Sequence, residues 1–226
     1  MSVKLVSYTQ PPPGDNQTSL LDLVAFCARV SNPENQNNTK TSEKLVRYLI
    51  KNEHWSPLEM VSVCLEIETT RDIARQILRH RSFSFQEFSQ RYAEVDEAPL
   101  ELREVRLQDH KNRQNSIETE DQVLQHSWDR LQQSVHEAAR DAYYWAITNG
   151  VAKEVARSVL PEGLTKTRLY MNGTLRSWVH YVKLRSSNGT QKEHAEIARA
   201  CAQVIDPIFP ISSIIYGSDT STGTKC

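Results

Sequence analysis

The stretch MVSVCLEIETTRDIARQILRHR, residues 60–81, contains the clearest strand and the most unusual helix of the chain. In residues 60–68, apolar and polar side chains alternate, which is the period of a strand with one buried face. After Thr69 or Thr70 as a cap, the spacing of apolar residues changes to the helical period and predicts a helix over residues 71–81. The positions expected to face the core are Val61, Val63, Leu65, Ile67, Ile73, Ala74 and Ile77.

The predicted helix carries a stripe of arginines. Arg71, Arg75 and Arg79 recur at every fourth position, so their like charges lie on one face and repel. Arginines on a helix are usually solvated or paired with acids, and this interpretation stays open for each of them. Here Arg81 adds to the charge, and Glu87 is the only nearby acid in the sequence. Because guanidinium groups bind phosphate through paired hydrogen bonds, the cluster favours a phosphorylated ligand.

The segment SFSFQEFSQRY, residues 82–92, loses the helical period and predicts a loop or a short irregular extension. Its serines add neutral hydrogen-bond donors beside the arginines. Phe83, Phe85 and Phe88 have two alternative roles: at least two belong to the core, or they flank a flat ring. Together with the arginines, these residues point to a phosphorylated ligand with an aromatic base.

Composition limits the classes of function. The 226 residues include 38% hydrophobic ones, enough for a sizeable core, and the net charge of -1 argues against a protein that coats nucleic acid. No apolar run approaches the roughly 18 residues of a membrane span, and the polar start lacks the apolar core of a signal peptide, so we expect a cytoplasmic protein without a membrane partner. Four isolated cysteines, Cys27, Cys64, Cys201 and Cys226, predict reduced structural thiols, with no disulfide framework and no metal site.

Helices and a few strands occur without regular alternation, which predicts one α+β domain over residues 1–226. The seven glycines include no GxGxxG, which argues against a dinucleotide site of the Rossmann type. Further strands are expected at residues 3–8 and 166–173, and helices at residues 19–31, 42–52, 119–150, 152–160, 174–185 and 190–205.

Four segments resemble one enzyme family. RHRSFSFQEFSQRY is similar to the signature of the flavin-dependent thymidylate synthases, in which an RHR triplet is followed at fixed spacing by Ser, Glu, Ser and Arg. HWSPLE, KEVARSVLP and LRSWVHYVKLRSS resemble the other motifs of this family and follow in the same order, over roughly residues 54–193. Departures from the pattern stand at Gln86, Met60 and His180.

The resemblance implies a function and an assembly. The family methylates dUMP to dTMP in thymidylate biosynthesis, with 5,10-methylenetetrahydrofolate as carbon donor, FAD as hydride relay and NADPH as reductant. It also implies an antiparallel sheet flanked by helices, and a homotetramer whose subunits jointly build each site. By the same resemblance, chemistry uses no cysteine nucleophile, and Arg185 polarises the uracil ring, where its charge stabilises negative charge that develops on the pyrimidine.

The resemblance also implies binding residues, position by position. Those expected around the nucleotide are Gln76, Arg79, Glu87, Ser89, Gln90, Arg91, Arg157 and Arg185. Those expected around FAD are Ser56, Arg79, His80, Arg81, Glu87, Thr174, Leu175, Arg176 and His180. For His54, which lies beside Trp55 before a turn, a structural and a functional role are equally open.

Two other classes of protein remain as alternatives. One is a nucleic-acid-binding module in which the arginines contact phosphates and the phenylalanines stack on bases; the balanced net charge disfavours it. The other is a flavin-binding relative without catalysis, which the presence of Ser89, Arg91, Arg157 and Arg185 disfavours.

Overall fold

The computed structural model describes residues 1–95 and 101–217. Within these residues, a four-stranded antiparallel sheet has the order β1-β2-β6-β3, and a separate hairpin pairs β4 with β5. The strands in chain order are β1 (Ser2–Tyr8), β2 (Ser62–Thr70), β3 (Ser84–Glu87), β4 (Arg106–Gln108), β5 (Ser116–Glu118) and β6 (Lys166–Thr174).

Helices flank the sheet, which confirms the predicted α+β class. Short 3-10 helices cover Pro33–Asn35, Ser56–Met60 and Arg157–Val159. The hairpin of β4 and β5 and the last helix were not predicted. The α-helices are α1 (Leu20–Ala28), α2 (Ser42–Lys51), α3 (Arg71–Ile77), α4 (Gln122–Thr148), α5 (Lys153–Ala156), α6 (Leu175–Arg185), α7 (Lys192–Ile205) and α8 (Ile211–Tyr216).

Strand β2 confirms the alternation that the sequence predicts. Its apolar positions Val63, Leu65 and Ile67 are fully buried, whereas Glu66 and Glu68 lie on the opposite, polar face. Strand β6 pairs with β2 along its whole length, from Ser62 opposite Thr174 to Thr70 opposite Lys166. Side chains of α1, α2, α3, α6 and α7 pack with the buried face of these two strands into one core.

Helix α3 is shorter than predicted. It ends at Ile77, so Arg79 lies beyond the helix and the predicted arginine stripe breaks before its last member. Thr70 is the N-cap residue, but its hydroxyl contacts Asp72 and Arg103 instead of a backbone N–H group. The four-residue spacing of the arginines continues beyond the end of α3, so the spacing alone does not show where the helix ends. Tertiary contacts, rather than local propensity, keep the following residues from continuing the helix.

The segment after α3 is also more regular than predicted. Ser84–Glu87 form strand β3 at the edge of the sheet, where Phe85 lies opposite Met171 of β6. Four residues are too few to show a period of their own, so only the pairing with β6 reveals the strand. The ring of Phe83 packs on Gly173, where an added Cβ would lie 2.4 Å from the ring.

Candidate active site

Arg185 is the last residue of α6, and its Nε donates a hydrogen bond to Nε2 of His80 at 2.9 Å. Burial and the nearby charge of Arg185 lower the pKa of His80 to about 4, so the imidazole is neutral and accepts this bond. In residues 1–95 and 101–217, no group accepts a hydrogen bond from the two terminal nitrogens of Arg185. The guanidinium is therefore fixed at Nε and offers both Nη groups to a ligand.

A buried hydrogen-bond chain lies behind this pair. The hydroxyl of Tyr181 and Nε2 of His194 are 3.2 Å apart, and Nδ1 of His194 is 3.2 Å from Oε1 of Gln76. Gln76 Nε2 then donates to Oε1 of Gln191 at 2.7 Å. The edge of the His80 ring meets the ring of Tyr181 at a centroid distance of 4.9 Å. The predicted residues Gln76, His80 and Arg185 are thus brought into one region.

Three members of this hydrogen-bond chain were not predicted from the sequence. They are Tyr181 in α6, Gln191 directly before α7, and His194 in α7. His194 has no exposed surface, and burial together with the charges of Arg185 and His80 lowers its pKa to about 3. Burial raises the pKa of Tyr181, which keeps its hydroxyl protonated as a donor. Gln191 donates to Glu193 at 2.9 Å. No local spacing signals His194 and Gln191, because their shared partner in α3 lies more than 100 positions away.

The predicted nucleotide residues in β3 and the following loop form a second group. Glu87 accepts a hydrogen bond from the Thr167 hydroxyl at 2.9 Å and lies 3.4 Å from a guanidinium nitrogen of Arg71. The Ser89 hydroxyl accepts from the backbone N–H of Arg91 at 3.4 Å. The first arginine of the predicted stripe is therefore paired with the acid that the sequence places nearby.

The loop after β3 is tied to the short helix α5. Arg91 lies 3.3 Å from Glu154, and both side chains are largely exposed. Gln90 is buried, and its Nε2 has no hydrogen-bond partner in the described part of the chain. Arg157 begins the 3-10 helix after α5, and its guanidinium has no partner among the described residues. Arg91 and Arg157 thus lie on segments that contact each other, and of their two guanidinium groups only that of Arg157 is unpaired in the described residues.

The junction of β6 and α6 contributes the third group of predicted residues. The hydroxyl of Thr174 accepts a hydrogen bond from the Ser177 backbone N–H at 3.3 Å and so caps α6. Leu175 is fully buried, and its own N–H donates to the carbonyl of Val61 at 3.0 Å. Leu175 is therefore part of the core at the start of α6, and its side chain offers no polar group to a ligand.

The exposed side of α6 faces the 3-10 helix that Ser56 begins. Arg176 pairs with Glu59 from this 3-10 helix. The ring of His180 lies 4.3 Å from the ring of Trp55, with the two planes tilted by 51°. Ser56, Arg176 and His180 are thus brought close together at the protein surface, with an aromatic pair beside them. The ring of His54 packs edge-on against Tyr48, which is not one of the predicted site residues.

Two arginines of the signature remain without partners. Arg79 and Arg81 are exposed, and in the described ranges neither has an acid or another acceptor. Arg75, in contrast, pairs with Glu162 at 2.5 Å. The unpaired charges fit a phosphate or pyrophosphate, because an anion would reduce the repulsion between them. Arg79 and Arg81 flank His80 and precede β3. In the sequence they therefore lie beside the residues that surround Arg185 and before the group that contains Glu87.

The phenylalanines of the signature are largely structural. Phe83 is buried and its ring packs edge-on against Trp178 at 4.8 Å, while Phe85 is half-buried against the same core. Only Phe88 has an exposed ring, at 39% of its surface. The nucleic-acid alternative loses support, because two of the three rings it needs for stacking lie in the core.

The three described cysteines are in an environment that favours the protonated thiol. Burial raises the pKa of Cys27, Cys64 and Cys201, which disfavours the thiolate in each case. Cys226 lies outside the described residues. Among the residues that the structure does describe, no group of acidic, histidine or cysteine side chains is arranged to hold a metal ion. Within the same ranges, no helix has the length and apolarity to cross a membrane.

The comparisons with known proteins agree with each other. The family model described as thymidylate synthase complementing protein matches residues 4–211. The chain is 49% identical over 210 residues to a probable flavin-dependent thymidylate synthase of Paramecium bursaria Chlorella virus 1, covering 93% of this chain and 96% of the relative. It is 47% identical over 212 residues to the flavin-dependent thymidylate synthase of Synechocystis, with the same coverage.

Solved structures share the fold. The UMP/dUMP methylase PolB from Streptomyces cacaoi, bound with 5-Br dUMP, superposes with a TM-score of 0.78 at 26% identity, covering 95% of this chain and 93% of that one. The same enzyme bound with 5-Br UMP also gives a TM-score of 0.78.

Proposed function

This chain belongs to the flavin-dependent thymidylate synthase family, and from that premise we propose that it methylates dUMP to dTMP with FAD as its cofactor. The observation that carries the proposal is the arrangement of Arg185, whose Nε is held by neutral His80 while both terminal nitrogens stay free of partners in the described residues. By family resemblance, 5,10-methylenetetrahydrofolate donates the carbon and NADPH supplies the reducing equivalents.

Arg185 suits the polarising role that the resemblance assigns to it. Its two free Nη groups form a planar fork that donates to a carbonyl oxygen of a uracil, and to the adjacent ring nitrogen when that nitrogen is deprotonated and the ring carries negative charge. Negative charge on the pyrimidine is stabilised by a guanidinium that is already oriented, so little reorganisation is needed when the charge develops. A neutral His80 adds no second positive charge behind the arginine, and as an acceptor it limits rotation of the guanidinium.

The phosphate of the nucleotide is assigned to the group around Arg91. Arg157 carries a guanidinium without a partner in the described chain, and Arg91 makes an exposed ion pair with Glu154 from the preceding helix α5. An exposed pair of this kind contributes little stability, so a phosphate can compete for Arg91. Ser89 supplies a hydroxyl beside it. Gln76, Arg79, Glu87 and Gln90 complete the proposed nucleotide site.

The residues present also fit FAD. Arg79 and Arg81 provide exposed guanidinium groups that have no acidic partner in the described ranges, as binding of a pyrophosphate requires. His180 presents a polar ring edge beside Trp55. When bound, FAD supplies the hydride relay between NADPH and the transferred carbon. The other proposed FAD contacts are Ser56, His80, Glu87, Thr174, Leu175 and Arg176.

We assign a homotetramer to the protein, with sites shared between subunits. An apolar stripe on the 27-residue helix α4 supports this assembly, because every member is exposed in the protomer. Its members recur at alternating spacings of four and three residues, which is the period of helices that pack side by side. The α4 stripe consists of Leu124, Trp128, Leu131, Val135, Ala138, Ala142 and Trp145.

The two arginines that the resemblance assigns to the nucleotide belong to separate contact groups within the protomer. In the described residues, no hydrogen bond or ion pair joins Arg157 to the group that contains Arg185. The resemblance implies a site shared between subunits, and we assign a nucleotide that contacts both arginines to a site between two copies of the chain.

The test is an assay of the purified flavoprotein. We expect a yellow protein that forms dTMP from dUMP only when methylenetetrahydrofolate and NADPH are both present. The Arg185→Ala variant is the control, and it should retain FAD while it loses product formation. A parent protein that binds FAD and oxidises NADPH, yet forms no dTMP at any substrate concentration, would contradict the proposal and support the non-catalytic alternative.

A further inference from the structure

The buried hydrogen-bond chain behind the site has a defined direction. Oε1 of Gln76 can only accept, so Nδ1 of His194 must carry the proton in the bond between them. His194 is neutral, since its pKa is about 3, and Nε2 is therefore an acceptor. The hydroxyl of Tyr181 then donates to Nε2. Every donor and acceptor is assigned without conflict.

The other end of the chain supports the same orientation of the Gln76 amide. Gln76 Nε2 donates to Oε1 of Gln191, and Gln191 Nε2 donates to Glu193 at 2.9 Å. Burial acts to raise the pKa of Glu193, but the hydrogen bond from its own backbone N–H and the guanidinium groups that pair with it lower this pKa, so Glu193 is an ionised acceptor. Rotation of the Gln76 amide by 180° would place an N–H group against a protonated Nδ1 and two oxygens against each other.

We propose that Tyr181 and His194 are positioning residues that hold the Gln76 amide with its oxygen inward, so that it presents only an N–H donor to the nucleotide. This inference rests on the proposed function, in which Gln76 contacts dUMP. The amide nitrogen has two hydrogens, and Gln191 takes one of them, so one donor remains for a ligand oxygen. A fixed donor discriminates in favour of a ligand with an acceptor at that point.

A substitution at Tyr181 can separate the effect on Arg185 from the effect on Gln76. Its ring supports His80, which orients Arg185, whereas its hydroxyl acts through His194 on Gln76. Replacement by phenylalanine keeps the ring and removes the hydroxyl. Tyr181→Phe should therefore weaken dUMP binding and raise its KM, while kcat at saturating dUMP and the FAD content stay close to those of the parent.

The deciding experiment is a double-mutant cycle on the full flavoprotein, with the dissociation constant of dUMP as the readout. We expect Tyr181→Phe to weaken binding about threefold to tenfold, as loss of one buried hydrogen bond does. Gln76→Ala should weaken it at least as much. In the Gln76→Ala background, Tyr181→Phe should have no further effect, because its influence passes through the missing amide.

Two further variants separate positioning from packing. His194→Gln retains a donor and an acceptor and should bind dUMP nearly as the parent does, whereas His194→Leu should resemble Gln76→Ala. Ile197→Val, a loss of core volume in α7 one turn from His194, should leave the affinity unchanged.

Failure of this inference is distinguishable from failure of the proposed function. Equal effects of Tyr181→Phe in both backgrounds, or no effect in either, overturn the positioning role. A parent protein that binds FAD but not dUMP overturns the proposed function itself, and the positioning role with it.

Discussion

Arg185 and His80 lie 105 positions apart in the chain, and the arginine Nε donates to the histidine Nε2 at 2.9 Å. The two residues come from different elements: Arg185 ends α6, and His80 follows the end of α3. The histidine is neutral because burial and the arginine charge lower its pKa to about 4. The bond therefore fixes the arginine without adding charge, and it makes the orientation of the guanidinium a property of the fold.

Replacement of Arg185 by lysine should reduce turnover far more than it reduces FAD binding. Lysine keeps the positive charge but lacks the planar fork and the Nε donor for His80. Loss of an aligned charged donor costs about 2 to 4 kcal/mol in the transition state, or roughly 30-fold to 1,000-fold in rate. Single-turnover formation of dTMP measures the loss. Near-normal rates in both Arg185→Lys and Arg185→Ala would remove this residue from the catalytic role.

Protein stability should fall as the pH is lowered from about 6.5 towards 4. The pKa values of His80 and His194 are about 4 and 3 in the folded state, below the usual 6.5, so the unfolded chain binds more protons in this range. Each histidine contributes a slope of up to about 1.4 kcal/mol per pH unit, with stability lost as the pH falls. Denaturant unfolding of the flavoprotein at several pH values measures the slope.

The control for this pH dependence is His194→Gln, which has no titrating group at that position. Its unfolding free energy should depend less steeply on pH between about 6.5 and 4.5, where carboxylates with lowered pKa values such as Glu193 still remain ionised. The same slope in the parent and the variant would show that His194 is not buried in its neutral form.

Gly173→Ala should destabilise the protein, because an added Cβ would lie 2.4 Å from the ring of Phe83. The ring has little room to move, since it also packs edge-on against Trp178. Overpacking of this kind typically costs about 1 to 3 kcal/mol. Gly163→Ala is the matched control, because a Cβ added there would have no described atom within 4 Å and the backbone is not left-handed. Equal thermal midpoints for the two variants would contradict the close approach.

Mixed oligomers should recover activity from two inactive parents. Arg157→Ala and Arg185→Ala are each expected to be nearly inactive, because each site then lacks one arginine. If the two arginines at one nucleotide come from different chains, a mixed oligomer contains some sites with both arginines intact. The variants are unfolded together, reassembled and assayed after mass spectrometry confirms that mixed oligomers formed. Activity that stays at the level of the parents would refute the sharing of these two residues.

A charge in the middle of the α4 stripe should break the assembly. Leu131 is 55% exposed in the protomer, and Leu131→Asp would place a carboxylate between packed helices. We expect a smaller particle by light scattering, with loss of dTMP formation. Val30→Asp, at an apolar position with 69% exposure outside α4, should retain the size and activity of the parent. An unchanged particle size for Leu131→Asp would exclude the stripe as the subunit contact.

The sequence alone determined the features that depend on neighbouring residues. The alternation in β2, the start of α1 after Ser19, whose hydroxyl accepts the Asp22 N–H at 3.2 Å, and the end of α4 just before Gly150 agree with the predicted elements. The mixed α+β class follows from the same local periods. Each of these features is set by contacts within a few positions along the chain, so the local pattern is sufficient to reveal it.

Only the tertiary structure decided which predicted residues act together. Helix α3 stops before Arg79, and the short strand β3 exists because β6 lies beside it. The bonds from Arg185 to His80 and from His194 to Gln76 join residues 105 and 118 positions apart. Hydrogen bonds over such separations leave no period in the sequence, since their partners meet only after the core has formed around β2 and β6. The chain therefore encodes the elements locally, while the packing of α3, α6 and α7 determines the site.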